Sequence, residues 1–447
     1  MPSPRYESDS KDASPLGKAL PFEFSGKQAK NRFLKAAMTE RLSSWDPKVF
    51  ENRGVPSKNL INVYRRWGEG GFGLILTGNI MMEYDQLEAP GNPIIPRNAG
   101  FTDERFAAFK ELGAAAKKHG SLCVGQVSHP GRQVVDAINQ DPISASDVQL
   151  EGEVMGMTFA KPHAATETEI AHIIEGFAYA AEFLHKAGYD GIQLHGAHGY
   201  LLAQFLSRTT NKRTDKYGGS LENRSRIIFE IEEAIRKRVP QDFIVGIKIN
   251  SVEFQEGGFD PDECRQLCAN LEKHRFDFVE LSGGTYESLA FTHKRESTKK
   301  REAFFLDFAD TIAPSLNKTK AYVTGGLKTV GAMVKALDSV DGVGLARPVC
   351  QEFHLPADIL SGKVYGAIKQ RVDDSNFGLT NMVAGTQIKQ VGKDEQPLDL
   401  SDEKDEKSFM EDMNAWMKKM GEDKEGKIYG YIDLHSQPVP YSGTSVA

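Results

Sequence analysis

Short apolar runs, most of them closed by glycine or a polar residue, recur at Phe33–Met38, Gly73–Leu76, Leu122–Val127, Gly191–Leu194, Phe243–Ile249, Phe276–Leu281, Lys320–Val323 and Gly342–Leu345. Runs this short and this uniformly apolar read as strands buried on both faces. Helical spacing fills the stretches between them; across Ile170–Ala187 the residues Ile173, Phe177, Ala180, Phe183 and Leu184 share one face. Strands alternating with helices eight times predict an α/β fold, a (β/α)8 TIM barrel over 22–377, which is long enough to include insertions. The widest gap, from Val127 to Gly191, contains HPGRQVVDAINQDPISASDVQLEGEVMGMTFAKPHA, too rich in Pro, Gly, Ser and Asp for one helix. It predicts a long loop insertion after strand 3 over the barrel mouth, serving either as a lid and substrate wall or as plain structure.

The ends of the chain differ from this pattern. Residues 1–21 are polar and read as a flexible N-terminal segment, while 378–447 read as a C-terminal helical extension. Within the extension, Ser401–Gly421 places Phe409, Met413, Trp416, Met417 and Met420 on one face. Asp402, Glu403, Asp405 and Glu406 open this stretch and Lys418 and Lys419 close it. Those charges complement a helix dipole, so a docked amphipathic helix is expected, packed on the barrel or on a second subunit.

Composition narrows the class. The 447 residues are 40% hydrophobic and 26% charged, as in a globular protein with a sizeable core, and the net charge of −7 excludes a general affinity for nucleic acid. The amino terminus lacks the apolar core of a signal peptide, and no run approaches the ~18 apolar residues of a membrane span. A cytoplasmic protein with no membrane partner is expected, and a homo-oligomer is compatible with the pattern. Cys123, Cys264, Cys268 and Cys350 are too scattered for a disulfide scaffold or a Cys-x-x-Cys metal site.

The candidate chemistry sits in GIQLHGAHGYLLAQFL, where His195, His198 and Tyr200 follow the fourth strand. Groups just beyond the carboxyl ends of barrel strands line the active-site face. Two histidines at this spacing could also be zinc ligands or satisfied core residues. No carboxylate or cysteine set accompanies them at the other strand ends, and no metal is assigned. A phenol with a pKa near ~10 stays protonated at neutral pH and can act as an acid toward an enolate-like transition state.

HGAHGYLLAQFLS followed by NKRTDKYGGSLENRSR closely resembles the signature of the old yellow enzyme family of FMN-dependent NADH:flavin oxidoreductases and ene-reductases. The likeness runs from FLKAAMTER through LILTGN, GQVSHPGRQ, VGIKIN, VELSGG and YVTGG to GLARP. It implies FMN as cofactor, NAD(P)H as hydride donor and a small-molecule activated alkene as substrate, with NAD(P)H and alkene sharing one pocket in turn. On that resemblance His195 and His198 hydrogen-bond the substrate carbonyl or nitro oxygen, and Tyr200 donates a proton to the α carbon.

The resemblance also assigns the flavin contacts. Ala37 and Met38 touch the ring, Thr39 meets its carbonyl edge, Gly78 admits close approach, and Gln126 serves the pyrimidine. Lys248, where the family commonly has arginine, offsets the charge of the reduced ring but lacks the planar guanidinium fork. Gly325, Gly326, Ala346 and Arg347 receive the phosphate, while Gly283 and Gly284 shape the sixth loop. The physiological alkene depends on loops that include Tyr286–Arg301. A flavin oxidase, dehydrogenase or isomerase is the alternative within the same scaffold; a metal-dependent hydrolase or a non-catalytic binding protein is the alternative of another class.

Overall fold

The eight apolar runs become eight parallel strands that close on themselves. In this computed structural model, which describes residues 3–154, 156–252, 257–283 and 312–443, the strands are β1 (Phe33–Lys35), β2 (Leu74–Leu76), β3 (Leu122–Val127), β4 (Gly191–Gly196), β5 (Ile244–Val252), β6 (Phe278–Gly283), β7 (Lys320–Thr324) and β8 (Gly342–Leu345). Each pairs with the next, and β8 returns to β1 with Val343 opposite Phe33 and Leu345 opposite Lys35. Side chains alternate across each strand, so Leu74 and Leu76 of β2 enter the barrel while Ile75 joins the outer core.

Helices α1 (Lys58–Glu69), α2 (Glu104–Lys117), α3 (Glu167–Lys186), α4 (Leu201–Leu206), α5 (Leu221–Arg236), α6 (Pro261–Lys273) and α7 (Val330–Ala336) follow the strands around the outside. The α3 start is fixed by a capping box: Glu169 N donates to Thr166 Oγ1 at 3.2 Å and Thr166 N donates to Glu169 Oε2 at 2.7 Å. At the amino end of the barrel a small hairpin, Leu20–Pro21 against Gln28–Ala29, seats Leu20, Phe22 and Ala29 among Leu34, Phe278 and Tyr322. Burying each large side chain of that plug contributes about 1.5–3 kcal/mol. One end of the barrel is therefore closed by hydrocarbon, and the polar chemistry gathers at the other.

The N-terminal segment is held rather than loose. Tyr6 N donates to Ala367 O at 3.0 Å, Lys369 N donates to Pro4 O at 2.8 Å, and Arg5 pairs with Glu352 at 2.5 Å. Low hydropathy concealed this, because backbone pairing and one ion pair hold residues that carry little apolar surface.

The C-terminal extension joins the barrel instead of standing apart. Helices α8 (Pro348–Gln351) and α9 (Leu355–Leu360) lead to α10 (Phe377–Gly392), which packs beside α1, and to α11 (Glu403–Glu422), capped by Asp402 accepting from Lys404 N and Asp405 N. Phe409 and Trp416 of α11 are buried with Val383, Leu400 and Ile432, as the stripe predicts. Met417 and Met420 on the same stripe are exposed, at 55% and 38%. Beyond α11, Tyr431 donates from its hydroxyl to Thr39 O at 2.9 Å, and Trp45 Nε1 donates to Gly426 O at 2.7 Å, tying the tail to the loop after β1.

Candidate active site

A cavity of about 2090 Å³ opens at the carboxyl ends of the strands. Its wall includes Ala37, Met38, Thr39, Gln126, His195, His198, Tyr200, Lys248, Gly325, Gly326, Ala346 and Arg347, all expected there from the sequence. Val135 to Ile138 and Met157 close one flank, so the insertion after β3 forms part of the wall. The extension supplies another flank through Met382, Met410, Met413 and Trp416.

The histidines and the tyrosine converge because the chain turns sharply after β4. His198 has φ of 58°, left-handed for a non-glycine residue, and Gly199 follows at 75°. Such a conformation costs a β-carbon about 1–2 kcal/mol and persists where surrounding contacts over-determine it. Here His198 N donates to Asn250 Oδ1 at 3.1 Å and Gln133 Nε2 donates to His198 O at 3.2 Å. The turn brings the Tyr200 ring edge-on to His195 at 4.5 Å between centroids, with His198 5.3 Å from His195.

Both imidazoles are neutral. Burial lowers the His195 pKa well below its ordinary value, and the neighbouring His198 and Lys248 lower it further; burial and then Lys248 do the same for His198. Ala197 N donates to His195 Nδ1 at 3.3 Å, which places the ring proton on Nε2 and makes that atom a donor. His198 Nε2 meets Ser282 Oγ at 2.9 Å. Burial also pulls His129, in the GQVSHPGRQ segment, down to about 3.

These depressed values carry a sign. Below a pH of about 6.5 the unfolded chain protonates all three histidines while the folded chain does not, so their contribution to stability is lost as pH falls from there toward the folded values. Imidazole resonances of His129, His195 and His198 are expected not to titrate between pH 8 and 5. A midpoint near 6.5 for either of the last two would contradict the neutral assignment.

Gly78 has a packing role as well. A β-carbon there would lie 2.2 Å from Met38 O and 2.3 Å from Glu40 Oε2, and its N–H donates to Glu40 Oε1 at 2.9 Å and to the Tyr64 hydroxyl at 2.8 Å. Its lack of a side chain lets the chain leaving β2 approach the chain after β1. Gly78→Ala is expected to destabilise the fold by about 3 kcal/mol, the upper end of ordinary overpacking, read as a lowered unfolding midpoint. An unchanged midpoint would show that the segment yields without cost.

Several polar residues at the site escaped the sequence reading. Asn79, next to Gly78, donates from Nδ2 to Thr39 Oγ1 at 3.3 Å and toward the Tyr200 hydroxyl at 3.5 Å. Gln193, Glu280, Ser282 and Asn250 lie on β4, β5 and β6. Polar residues inside apolar runs were the available signal, since a polar group in a barrel strand needs a buried partner. Conversely, the second half of the signature is structural. Arg213 donates to Ala145 O and Ala165 O at 3.0 and 2.6 Å, clamping the insertion, and Arg224 of α5 pairs with Glu263 of α6. Cys264 and Cys268 are buried free thiols on α6. Among the described residues no cluster of three or more His, Cys, Asp or Glu could hold a metal. Gly284 and Tyr286–Arg301 lie outside the described residues.

Residues 20–355 match the NADH:flavin oxidoreductase / NADH oxidase family. The chain is 53% identical over 433 residues to the NADH-dependent flavin oxidoreductase nadA of Aspergillus parasiticus, covering 96% of this chain and 98% of that one. It is 33% identical to the NADH-dependent flavin oxidoreductase iccE of Talaromyces variabilis, over 81% of this chain and 89% of the relative. Among solved structures, morphinone reductase in complex with tetrahydroNAD superposes with a TM-score of 0.64 at 22% identity, over 79% of this chain and 92% of the other. The old yellow enzyme homologue from Zymomonas mobilis gives 0.64 at 22%, over 82% and 98%. At these identities the structural likeness shows the shared barrel.

Proposed function

Since the chain belongs to the NADH:flavin oxidoreductase / NADH oxidase family, the old yellow enzymes, and is an oxidoreductase using FMN and a nicotinamide hydride donor, we propose that it reduces the C=C bond of activated alkenes such as α,β-unsaturated carbonyls. The observation that carries this reading is the convergence of His195, His198 and Tyr200 on one wall of the cavity. The remaining polar groups fit a flavin by their chemistry. Gln126 and Lys248 offer amide and ammonium groups to a pyrimidine edge. Gly325, Gly326 and Arg347, at the ends of β7 and β8, offer a close-approach turn and a guanidinium to a phosphate. Ala37, Met38 and Thr39 would lie along the ring between them.

FMN, when bound, supplies the hydride it has taken from NADH. The chain's own part is to hold and polarise the alkene. His195 donates from Nε2 to the carbonyl oxygen, with His198 beside it, stabilising the negative charge that develops there as hydride reaches the β carbon. Tyr200 gives its hydroxyl proton to the α carbon and regains one from water, which completes addition of H₂ across the double bond. Asn79 positions the phenol.

The cavity volume supports a bulky substrate. Ordinary small-molecule pockets hold about 300–1,000 Å³, so about 2090 Å³ leaves room for FMN and a multi-ring enone together. Methionine side chains along the extension adapt to irregular apolar surfaces. No helix among the described residues is long and apolar enough to cross a membrane, and a cytoplasmic location belongs to the same proposal.

The test is a visible spectrum of the purified protein, followed by anaerobic NADH with and without an enone, using 2-cyclohexenone and a multi-ring analogue. A flavin spectrum that bleaches with NADH and returns with the enone is expected. Bleaching that no enone reverses would turn the reading toward the oxidase, dehydrogenase or isomerase alternative.

A further inference from the structure

Behind the cavity floor lies a carboxylate that the mechanism above does not use. Glu280 of β6 has no exposed surface and stands in register with Lys248 of β5, which stands in register with His195 of β4. Its Oε1 lies 3.1 Å from Lys248 Nζ and accepts from Thr324 Oγ1 of β7 at 2.6 Å. Its Oε2 accepts from Gln193 Nε2 of β4 at 2.9 Å, and Gln193 Oε1 accepts from Gln126 Nε2 of β3 at 2.7 Å. One carboxylate thus ties together side chains from β3 to β7. Lys248, Gln126 and Thr324 face the cavity, and Glu280 and Gln193 stand behind them.

The direction of this chain follows from hydrogen-bond chemistry. An ionised carboxylate only accepts, so Gln193 must turn its NH₂ toward Glu280 and its oxygen toward Gln126. Gln126 must then turn its NH₂ toward Gln193, which leaves its amide oxygen as the acceptor offered to the cavity. A ring N–H, as on a flavin pyrimidine, is the matching donor. The charge is set in the same way. A buried ammonium without a counter-ion would be strongly unfavourable, and at 3.1 Å Glu280 offsets most of the positive charge that Lys248 would otherwise present to a ligand.

We propose that Glu280 is a positioning residue for the flavin: it aims the Gln193–Gln126 amides and holds Lys248 in a neutralised pair, so that the reduction potential of bound FMN is lower than the lysine alone would set. The proposal rests on FMN lying with its pyrimidine edge on Gln126 and Lys248. Reduction by hydride places negative charge on that edge, so the potential reads the net charge of the Lys248–Glu280 pair.

The experiment measures the FMN midpoint potential of the holoenzyme by equilibration with a reference dye, together with flavin content and thermal unfolding. Glu280→Gln keeps the shape and removes the charge. It is expected to raise the potential by about 30 mV or more, a tenfold change in the two-electron equilibrium. Lys248→Met leaves the carboxylate uncompensated and is expected to lower the potential. In the double variant the upward step of Glu280→Gln on the Lys248→Met background is expected to differ from its step on the wild type, because neighbouring charges are non-additive. An unchanged or lowered potential in Glu280→Gln, with flavin retained, overturns the proposal. If Glu280→Gln does not fold, an unchanged potential in Lys248→Met overturns it alone. A wild-type protein that takes up no FMN would sink the functional reading itself and the proposal with it.

Discussion

Tyr200→Phe is expected to slow reoxidation of the NADH-reduced enzyme by an enone about 10²–10⁴-fold, the usual contribution of a positioned general acid, while leaving reduction by NADH nearly unchanged. The substitution removes only the hydroxyl. The ring that packs edge-on against His195, 4.5 Å between centroids, remains, and Tyr200 is 4% exposed, so the cavity wall keeps its shape. Rapid mixing of each half-reaction without oxygen separates the two effects. An equal loss in both would mean that Tyr200 shapes the pocket for the flavin or nicotinamide instead of delivering a proton.

His195→Ala is expected to lower kcat/KM for enones about 10²–10³-fold, the loss found when one donor to a developing oxyanion is removed, or about 2.7–4 kcal/mol of transition-state stabilisation. The donor is pre-aimed. Nδ1 is already occupied by the Ala197 N–H at 3.3 Å, and burial keeps the ring neutral, so Nε2–H is the hydrogen offered to the cavity. His195→Asn, which keeps an N–H donor on a shorter stem, is expected to recover part of the loss. Steady-state rates at saturating NADH check both variants. Wild-type kcat/KM in His195→Ala would move carbonyl polarisation to His198 or away from the pair.

The two substitutions ask different questions of the same turn. His198 and Gly199 hold consecutive left-handed conformations, so the chain leaving β4 doubles back and sets the His198 and Tyr200 rings 5.3 and 4.5 Å from that of His195. That turn is paid for by the bonds from Asn250 and Gln133 rather than by local preference. Six residues of sequence supply the chemistry; residues from β5 and from the insertion hold it in place.

Much of the fold was legible because a barrel strand carries its own signal. β3 and β8 begin and end where their apolar runs do, Leu122–Val127 and Gly342–Leu345, since burial on both faces favours apolar residues throughout, with Gln126 the polar exception in β3. The α11 helix, expected over Ser401–Gly421, starts at Glu403 within its acidic opening for an equally local reason, with Asp402 as its cap. The histidine pair and Tyr200 were legible from their place at and just past the carboxyl end of β4, which includes His195 and extends two residues beyond its apolar run. Long-range pairing was not legible. Residues 3–10 look like a loose polar tail, yet they are held against 366–369 and α7, because backbone hydrogen bonds to a distant segment leave no trace in local hydropathy. The methionine stripe of α11 was visible, but which of its members are covered depends on the surface it meets: Phe409 and Trp416 are buried, while Met417 stays at 55% exposure.

Sequence by itself determined the barrel, the order of its strands and the identity of the groups at their carboxyl ends, because apolar periodicity and residue chemistry are properties of short segments. Only the tertiary structure decided how those groups act on one another. It packed Gly78 against Met38 and Glu40, made the imidazoles neutral by burying them, and joined Lys248 to Glu280 across two strands 32 positions apart in the chain (280 − 248). Charge, tautomer and hydrogen-bond direction depend on which groups closure of the barrel brings within about 3 Å of each other, and no local pattern of residues records that.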